Sequence, residues 1–336
     1  MLDIKRDNKK GSIKKFLKWF FIRQESSIII VLVLYSLIVT LVNPVFISTA
    51  NVINILRSTG FTLIMVVGMT FVLITAGLDL SVGAVFALGA IICGLSMQAG
   101  IPIILSILLG MLSGLVIGIF IGTVIVKTGI PPLIVTLGMM YVCRGLVSII
   151  TKGVPVYPLP EQFMLIEQTK IFNSLPVIIL ISVAIAVIGH IILSKTVFGR
   201  SVYAIGGNEE AAKISGINIT KVKMAVYIMT STLAAISGIL MSSRLGSAEP
   251  AAGTGIELKV IAGSIIGGIS TFGGMGTILG ASLGALFMEV MTNSLTLMKV
   301  SVYWQNLVFG VILIASVLLD QYKRRLIIRQ SVKAKD

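Results

Sequence analysis

Only a few ionisable side chains lie inside the long apolar stretches of this sequence, and these are the groups that could do chemistry there. They are the acids Asp79 and Glu289 and the bases Arg144 and Lys299. A charge inside a bilayer costs at least about 2.5–3.5 kcal/mol, so each of these groups needs a partner, a wet cavity or a place near the interface. Such a group can contact a solute, relay protons or hold a local structure together.

Asp79 lies in the string TAGLDLSVG, residues 75 to 83, which interrupts an apolar stretch. A carboxylate placed there can accept hydrogen bonds from the amides of a helix that starts just after it. We therefore expect Asp79 to cap that helix, with direct contact to a solute and proton coupling as the open alternatives. A second interruption, STFGGMG at residues 270 to 276, occurs in the other half of the chain. Paired glycine-interrupted segments are typical of unwound helices beside a substrate path.

The sequence lacks the residues that other kinds of chemistry require. The chain has no Gly-Lys dipeptide and so no phosphate-binding loop. His190 is the only histidine, and Cys93 and Cys143 lie in apolar segments, which leaves no hydrolase triad and no four-ligand zinc site. The sequence thus predicts that this chain is not an enzyme and needs neither a cofactor nor a metal.

The elements that must position these residues are apolar helices. Of 336 residues, 56% are hydrophobic and 34 are glycine, whereas charged residues make up 12%, about half the usual share. The net charge of +14 does not indicate a nucleic-acid binder, because the basic residues flank apolar runs. About 20 apolar residues span a bilayer, and we predict an all-α polytopic membrane protein with eight to ten transmembrane helices, some of them broken. Ten segments qualify: 27–46, 60–76, 80–98, 101–126, 131–150, 174–194, 222–243, 257–271, 276–293 and 301–320.

The basic residues predict the orientation. With both termini in the cytoplasm, 20 of the 27 Lys and Arg residues fall inside, as the positive-inside rule requires. We therefore expect a cytoplasmic basic segment at 1–25, a transmembrane domain at 26–321 and a cytoplasmic basic tail at 322–336. The first apolar run is longer than a signal-peptide core and has no A-x-A site after it, so it is expected to be a retained anchor.

The segment 195–221 is the largest polar region predicted on the inner side apart from the termini. Within it, GGNEEAAKISGI is typical of a short helix: Asn208 can cap it, two acids follow at its positive end, and Gly216 can end it. Thr220 can cap the next span. A helix this short is unstable alone in water, so it must pack against the chain itself or a cytoplasmic partner.

Two further features concern the outer side and helix packing. Residues 152–173, rich in proline, and residues 244–256 are predicted to be exposed loops that either offer a docking surface or merely connect spans. Gly110, Gly114, Gly118 and Gly122 recur every four residues, which predicts a smooth helix face for close packing.

Three strings taken together resemble the permease subunits of bacterial ATP-binding-cassette (ABC) importers for simple sugars, the ribose, xylose and galactose group. They are VGMTFVLITAGLDLSVGAVFALGA (67–90), FGRSVYAIGGNEEAAKISGINITKVK (198–223) and SAEPAAGTGIELKVIAGSIIGGISTFGGMGTILGASLGALF (247–287). The resemblance spans nearly the whole hydrophobic body and is greatest to ribose permeases. It implies a multi-pass permease of the bacterial inner membrane, working beside a second permease copy, cytoplasmic ABC ATPase subunits, an extracytoplasmic sugar-binding protein and membrane lipid.

The resemblance also implies site residues. The expected ATPase-coupling element is Gly199, Arg200, Gly206, Gly207, Asn208, Glu209, Glu210, Ala211 and Ala212. Its two alanines would give a small face for close approach, and its two glutamates would meet basic groups on the ATPase. The expected path or gate residues are Asp79, Leu80, Ser81, Gly83, Gly273, Gly274 and Gly276. The expected docking residues for the binding protein are Glu249, Pro250, Thr254 and Gly255.

The function predicted is therefore the membrane-spanning half of an ATP-driven importer of ribose or a related monosaccharide. The alternative is a proton-coupled secondary transporter that uses Asp79 or Glu289 as its relay.

Overall fold

The structure is a computed structural model that describes residues 24–171 and 175–333, apart from the side chains at 24, 25, 319 and 323–333. The described residues form thirteen α-helices, a short 3₁₀ helix (Pro44–Ile47) and one antiparallel pair of two-residue strands, so the predicted all-α fold is confirmed. The helices are α1 (Gln24–Val42), α2 (Thr49–Ile74), α3 (Val82–Gln98), α4 (Ile103–Thr128), α5 (Pro132–Thr151), α6 (Glu161–Gln168), α7 (Val177–Lys195), α8 (Val197–Gly207), α9 (Glu209–Ile214), α10 (Ile219–Leu245), α11 (Ile256–Ile266), α12 (Ile278–Leu297) and α13 (Val302–Lys333). The strands are β1 (Lys170–Ile171) and β2 (Leu175–Pro176).

Each of the ten predicted spans contains a helix. Within the described residues, seven helices are long and apolar enough to cross a membrane: α2, α4, α5, α7, α10, α12 and the first part of α13. Helices α1 and α3 contain apolar runs of 17 residues. Helix α11 has 11 residues and covers only about 16 Å of a core about 30 Å thick, which fits the prediction of broken spans.

Helix α10 lies at the centre of the packing, in contact with α2, α3 and α4. The glycine face predicted on α4 meets it closely: a Cβ atom at Gly114 would lie 2.6 Å from the Ser231 carbonyl oxygen, and one at Gly118 would lie 2.6 Å from Ile228 Cα. The predicted packing role of these glycines is therefore confirmed. Helix α13, by contrast, exposes large apolar side chains such as Ile314 along much of its length, as expected for a surface that faces lipid.

Three local predictions need correction. Helix α6 lies inside the segment 152–173, which we expected to be a loop, and its Phe163 is fully buried. Helix α8 lies inside the coupling segment, where only the shorter α9 was predicted. Helix α10 is capped by Asn218, whose Oδ1 accepts from the Lys221 amide at 3.0 Å, and not by Thr220, because the helix begins before that residue.

The terminal predictions lie largely beyond the described residues. Most of the basic segment 1–25 falls outside them, and α1 begins at Gln24. Helix α13 runs on to Lys333, so the predicted boundary between domain and tail at residue 322 falls within a helix.

Candidate functional site

The first interruption is a true break between helices. Helix α2 ends at Ile74 and α3 begins at Val82, and the residues between them leave helical geometry, with Ala76 at φ 57°. Asp79 is fully buried, and its Oδ1 accepts from the Ser81 amide at 2.8 Å and from the Ser81 hydroxyl at 2.6 Å. The carboxylate thus fixes the turn that enters α3, but the prediction that it caps the helix is wrong, because its partner is Ser81, the N-cap residue, and no amide inside α3 donates to it.

The unwound segment, residues 75–81, connects two other parts of the candidate site. At its far end, a Cβ atom at Gly83 would lie 2.3 Å from both the Gly253 carbonyl oxygen and Glu257 Oε2. In the middle of the segment, the Leu78 carbonyl lies 3.3 Å from the Thr136 hydroxyl, whose shorter hydrogen bond, of 2.9 Å, goes to the Pro132 carbonyl of its own helix. The start of α3 therefore lies directly against the predicted outer loop before α11.

The near end of the unwound segment meets the coupling segment and the second interruption through main-chain atoms. The Gly274 amide donates to the Ile74 carbonyl at 2.8 Å. A Cβ atom at Gly206 would lie 1.7 Å from that carbonyl oxygen and 2.5 Å from the Gly274 nitrogen. We call this contact of Ile74, Gly206 and Gly274 the backbone junction. It brings the predicted coupling residues together with both predicted breaks.

Side chains of α8 reinforce the junction. The Tyr203 hydroxyl donates to the Gly276 carbonyl at 2.6 Å, and burial raises the pKa of Tyr203 further above its ordinary value. The ring of Phe198 lies 6.1 Å from that of Phe71 on α2, measured between centroids. At the start of α8, a Cβ atom at Gly199 would lie 2.0 Å from the Leu193 carbonyl oxygen, so only glycine allows this sharp approach to α7.

Helix α9 projects from the end of α8. The predicted cap is confirmed: Asn208 Oδ1 accepts from the Ala211 amide at 3.0 Å. Glu209 already has a partner in this chain, with Oε2 at 2.7 Å from Lys223 Nζ. Ala212 is buried against the chain's own core, so the prediction that it forms an exposed face beside Ala211 is wrong.

The exposed surface of α9 combines polar and apolar groups. Asn208, Glu209, Glu210 and Ala211 are exposed, and so is Arg200 on α8. Ile214 is 87% exposed, and the sequence analysis assigned it no role. Ile214 is an apolar residue next to Lys213 in a polar segment, which could have indicated an exposed apolar contact. A helix of six residues is too short for hydrophobic periodicity to show whether such a residue is buried or exposed.

The two predicted outer segments pair with each other. Val156 and Ala248 exchange backbone hydrogen bonds of 2.9 and 3.1 Å, and the Leu159 amide donates to the Gly246 carbonyl at 3.1 Å. Residues 249–255 follow directly; because they contain the residues predicted to contact a binding protein, we call them the docking loop. Within it Glu249 and Pro250 are partly buried, whereas Thr254 and Gly255 are exposed.

Arg144 supports the docking loop from α5, a role that the sequence analysis did not assign. Its Nη1 donates to the Ala252 carbonyl at 2.7 Å and to the Pro250 carbonyl at 3.3 Å. An arginine in the middle of an apolar span was the signal, because a charge there needs partners. Single-sequence reasoning could not identify carbonyls more than 100 residues away as those partners.

Glu289, the other candidate relay, is neutralised by a neighbour. Its Oε1 lies 2.9 Å from Lys259 Nζ and accepts from the Thr62 hydroxyl at 2.5 Å. Helices α11 and α12 thus share a buried ion pair. Among the described residues, no group of three or more His, Cys, Asp or Glu side chains is placed to hold a metal ion.

Comparison with known proteins places the chain in a family. Residues 51–317 match the model described as branched-chain amino acid transport system / permease component. The chain is 41% identical to the ribose import permease protein RbsC of Bacillus subtilis over 288 residues, which cover 85% of this chain and 89% of that protein. It is 37% identical to RbsC of Haemophilus influenzae, over 90% and 94% of the two chains. It is 32% identical to the D-allose transport system permease protein AlsC of Escherichia coli, over 82% and 85%.

No solved structure is significantly similar to the chain. The family match covers both breaks, the coupling segment and the docking loop, so the geometry described above lies within the matched region. This chain belongs to the family of branched-chain amino acid transport system permease components.

Proposed function

We propose that this chain is the permease subunit of an ATP-driven importer and forms the path for ribose or a related monosaccharide through the bacterial inner membrane. The observation that carries the proposal is the backbone junction, where a coupling element with an exposed tip meets both interrupted helices. A chain that has such an element and no nucleotide site of its own is suited to being driven by a separate ATPase. Both termini lie in the cytoplasm in this proposal, in line with the distribution of basic residues.

The proposed coupling surface is the tip of α9 with the start of α8. Glu210 and Ile214 are exposed there, and Glu210 makes no ion pair among the described residues. One supplies a charge for basic groups of the ATPase, and the other an apolar contact. Displacement of α9 would pass along α8 to Gly206 and from there to Ile74 and Gly274, because these atoms are too close to move independently.

The proposed path lies between two copies of the permease, lined by the broken segments that contain Asp79, Leu80, Ser81 and Gly83 on one side and the glycines of residues 273–276 on the other. The docking loop would contact the extracytoplasmic binding protein, with Glu249 pairing with a basic residue of that protein. Its contact with Gly83 connects the outer surface to the first break. The proposed arrangement thus has a mechanical connection from each partner to the same unwound segment.

The choice of solute rests on the relatives. The family description mentions branched-chain amino acids, whereas the relatives at 31–41% identity include proteins described as ribose, D-allose and xylose permeases. A neutral polyol needs hydroxyl and amide partners more than ionic ones, and the interruptions offer mainly backbone groups and hydroxyls. Ribose is accordingly the first solute to test.

The proton-coupled alternative gains no support from the comparisons. Glu289 is tied to Lys259, which suits a structural role better than a relay. A preparation of this chain alone in proteoliposomes would decide the point, because accumulation driven by a pH gradient without any ATPase would favour the alternative.

The main test is charge reversal at the coupling tip. Glu210→Lys should abolish ATP-dependent ribose uptake by the complete transporter while the permease remains at its normal level in the membrane. Lys127→Glu is the matched control, since Lys127 is an exposed charge at the end of α4, on the predicted inner side but outside the coupling segment. Normal coupling in Glu210→Lys would count against the proposed docking surface.

A further inference from the structure

The second break is held by a residue to which no role has yet been given. Asp320, on α13, accepts three hydrogen bonds at one carboxylate oxygen, Oδ2. The donors are the Ser270 hydroxyl at 3.1 Å, the Thr271 amide at 3.0 Å and the Thr271 hydroxyl at 3.0 Å. Hydrogen bonds to an ionised acceptor are stronger than those between neutral groups. One side chain thus ties the last helix to a turn about 50 residues earlier.

The same turn is held on its other side by the coupling element. Gly274 bonds to Ile74 at the backbone junction, and Gly276 accepts from Tyr203 of α8. The segment 270–276 therefore lies between two attachments, one to α13 through Asp320 and one to α8 and α2.

The turn itself is a poor transmitter of force. Gly273, Gly274 and Gly276 all have positive φ angles, between 74° and 134°, and glycine backbones change conformation at low cost. Within the turn, two backbone hydrogen bonds close the loop, from the Ser270 amide to the Met275 carbonyl and from the Gly273 amide to the Ser270 carbonyl, both at 3.2 Å. A push on one end would deform such a turn unless its other end were fixed.

We propose that Asp320 is a positioning residue that fixes the turn 270–276 to α13, so that motion of α8 moves α12 instead of being absorbed by the glycine turn. This inference rests on the proposed function. It assigns α13, which packs against α11 and exposes much of its remaining apolar surface, a part in the coupling of ATP hydrolysis to transport. Asp320 acts through the turn and contacts no solute.

The experiment compares Asp320→Ala and Asp320→Asn with Gln321→Ala in the complete transporter, reconstituted with its ATPase and binding protein. Gln321 is the matched control because it is the next residue on α13 and is exposed. The readout is ribose taken up per ATP hydrolysed. We expect a fall of at least tenfold in Asp320→Ala with basal ATP hydrolysis retained, an intermediate value in Asp320→Asn, whose amide oxygen accepts without a charge, and no change in Gln321→Ala.

A second readout reports on the turn itself. Met275 is 44% exposed, and the native Cys93 and Cys143 are buried, so a cysteine introduced as Met275→Cys can be labelled with a maleimide over a low background. Adding Asp320→Asn should raise its labelling rate at least threefold.

The outcomes separate the two ideas. If the wild-type complex shows no ATP-driven uptake, the proposed function fails. If the wild type transports and Asp320→Ala retains its uptake per ATP, the positioning role of Asp320 is overturned. If Asp320→Ala does not accumulate in the membrane, Asp320→Asn is the deciding variant. The inference is overturned if Asp320→Asn takes up as much ribose per ATP as the wild type, or if it leaves the labelling rate at Met275→Cys unchanged.

Discussion

Replacing Gly206 by alanine tests the backbone junction most directly. The added Cβ would lie 1.7 Å from the Ile74 carbonyl oxygen, where ordinary contact begins at 3.4 Å. Either α8 or the end of α2 must therefore shift by about 1.7 Å, the difference between those two distances. A shift of that size disrupts the 2.8 Å hydrogen bond between Gly274 and Ile74.

The size of the effect follows from that geometry. Overpacking a well-packed site costs about 1–3 kcal/mol, and a buried backbone group left without its hydrogen bond costs a similar amount. If the junction carries the coupling between ATPase and path, a loss of about 1–3 kcal/mol corresponds to a reduction of about 5–150-fold. Uptake per ATP hydrolysed should fall within that range in Gly206→Ala.

Gly138→Ala is the control. This glycine lies on α5, outside the predicted coupling segment; it is exposed, and a Cβ atom there would meet nothing within 4 Å. Uptake by reconstituted transporter containing each variant should be measured together with the amount of permease in the membrane. The reasoning is refuted if Gly206→Ala transports as well as Gly138→Ala, or if both variants fail alike.

Further predictions concern packing and the outer surface. Lys259→Met leaves Glu289 buried without its cation, which costs about 3–5 kcal/mol. The melting temperature in detergent should therefore fall in this variant and recover when Glu289→Met is added. Equal melting temperatures of the single variant and the wild type would contradict this prediction. Arg144→Ala frees the docking loop, so uptake should require more binding protein for half-maximal rate at a similar maximum, and an unchanged requirement would count against that support. Gly118→Leu should prevent stable accumulation in the membrane, whereas Gly138→Leu, at a position with open space, should not; similar levels of both would refute the packing role of the α4 face.

Local features of this fold were readable from the sequence. Run length and charge placement located all ten apolar segments, because the bilayer imposes a length on each crossing helix. The cap at Asn208 followed from its residue type and the two acids after it. The glycine spacing on α4 predicted the close approach to α10, although not which helix would be the partner.

Helices α6 and α8 were not predicted, because their amino-acid composition is unfavourable for helices. Helix α8 contains three glycines in 11 residues, and glycine is a poor helix former. The tertiary contacts at Gly199 and Gly206 outweigh this low helix propensity. Phe198, Val202 and Ile205 do share one face, and this spacing could have revealed the helix. Helix α6 follows a run of prolines, of which Pro160 directly precedes it, and prolines before a helix are as typical of its start as of a loop.

The arrangement of the residues in the candidate site could not be predicted from the sequence. Ile74, Gly206 and Gly274 lie more than 60 residues apart from one another, and nothing in a single sequence encodes which glycine approaches which carbonyl. Nor does the sequence encode the contact of Asp320 with Thr271, 49 residues away, or that of Arg144 with the docking loop. Sequence patterns specify the elements, whereas these contacts arise only when the elements pack.

The backbone junction has a consequence for how the coupling responds to its surroundings. Its hydrogen bond joins an amide to a carbonyl, and neither group titrates or carries a net charge. Acid, alkali and ionic strength, which weaken an exposed pair such as Glu209 with Lys223, leave this link untouched. This main-chain link of the proposed coupling therefore depends on backbone position alone, whereas the Asp320 carboxylate and the Tyr203 phenol, which hold the same turn, are ionisable groups.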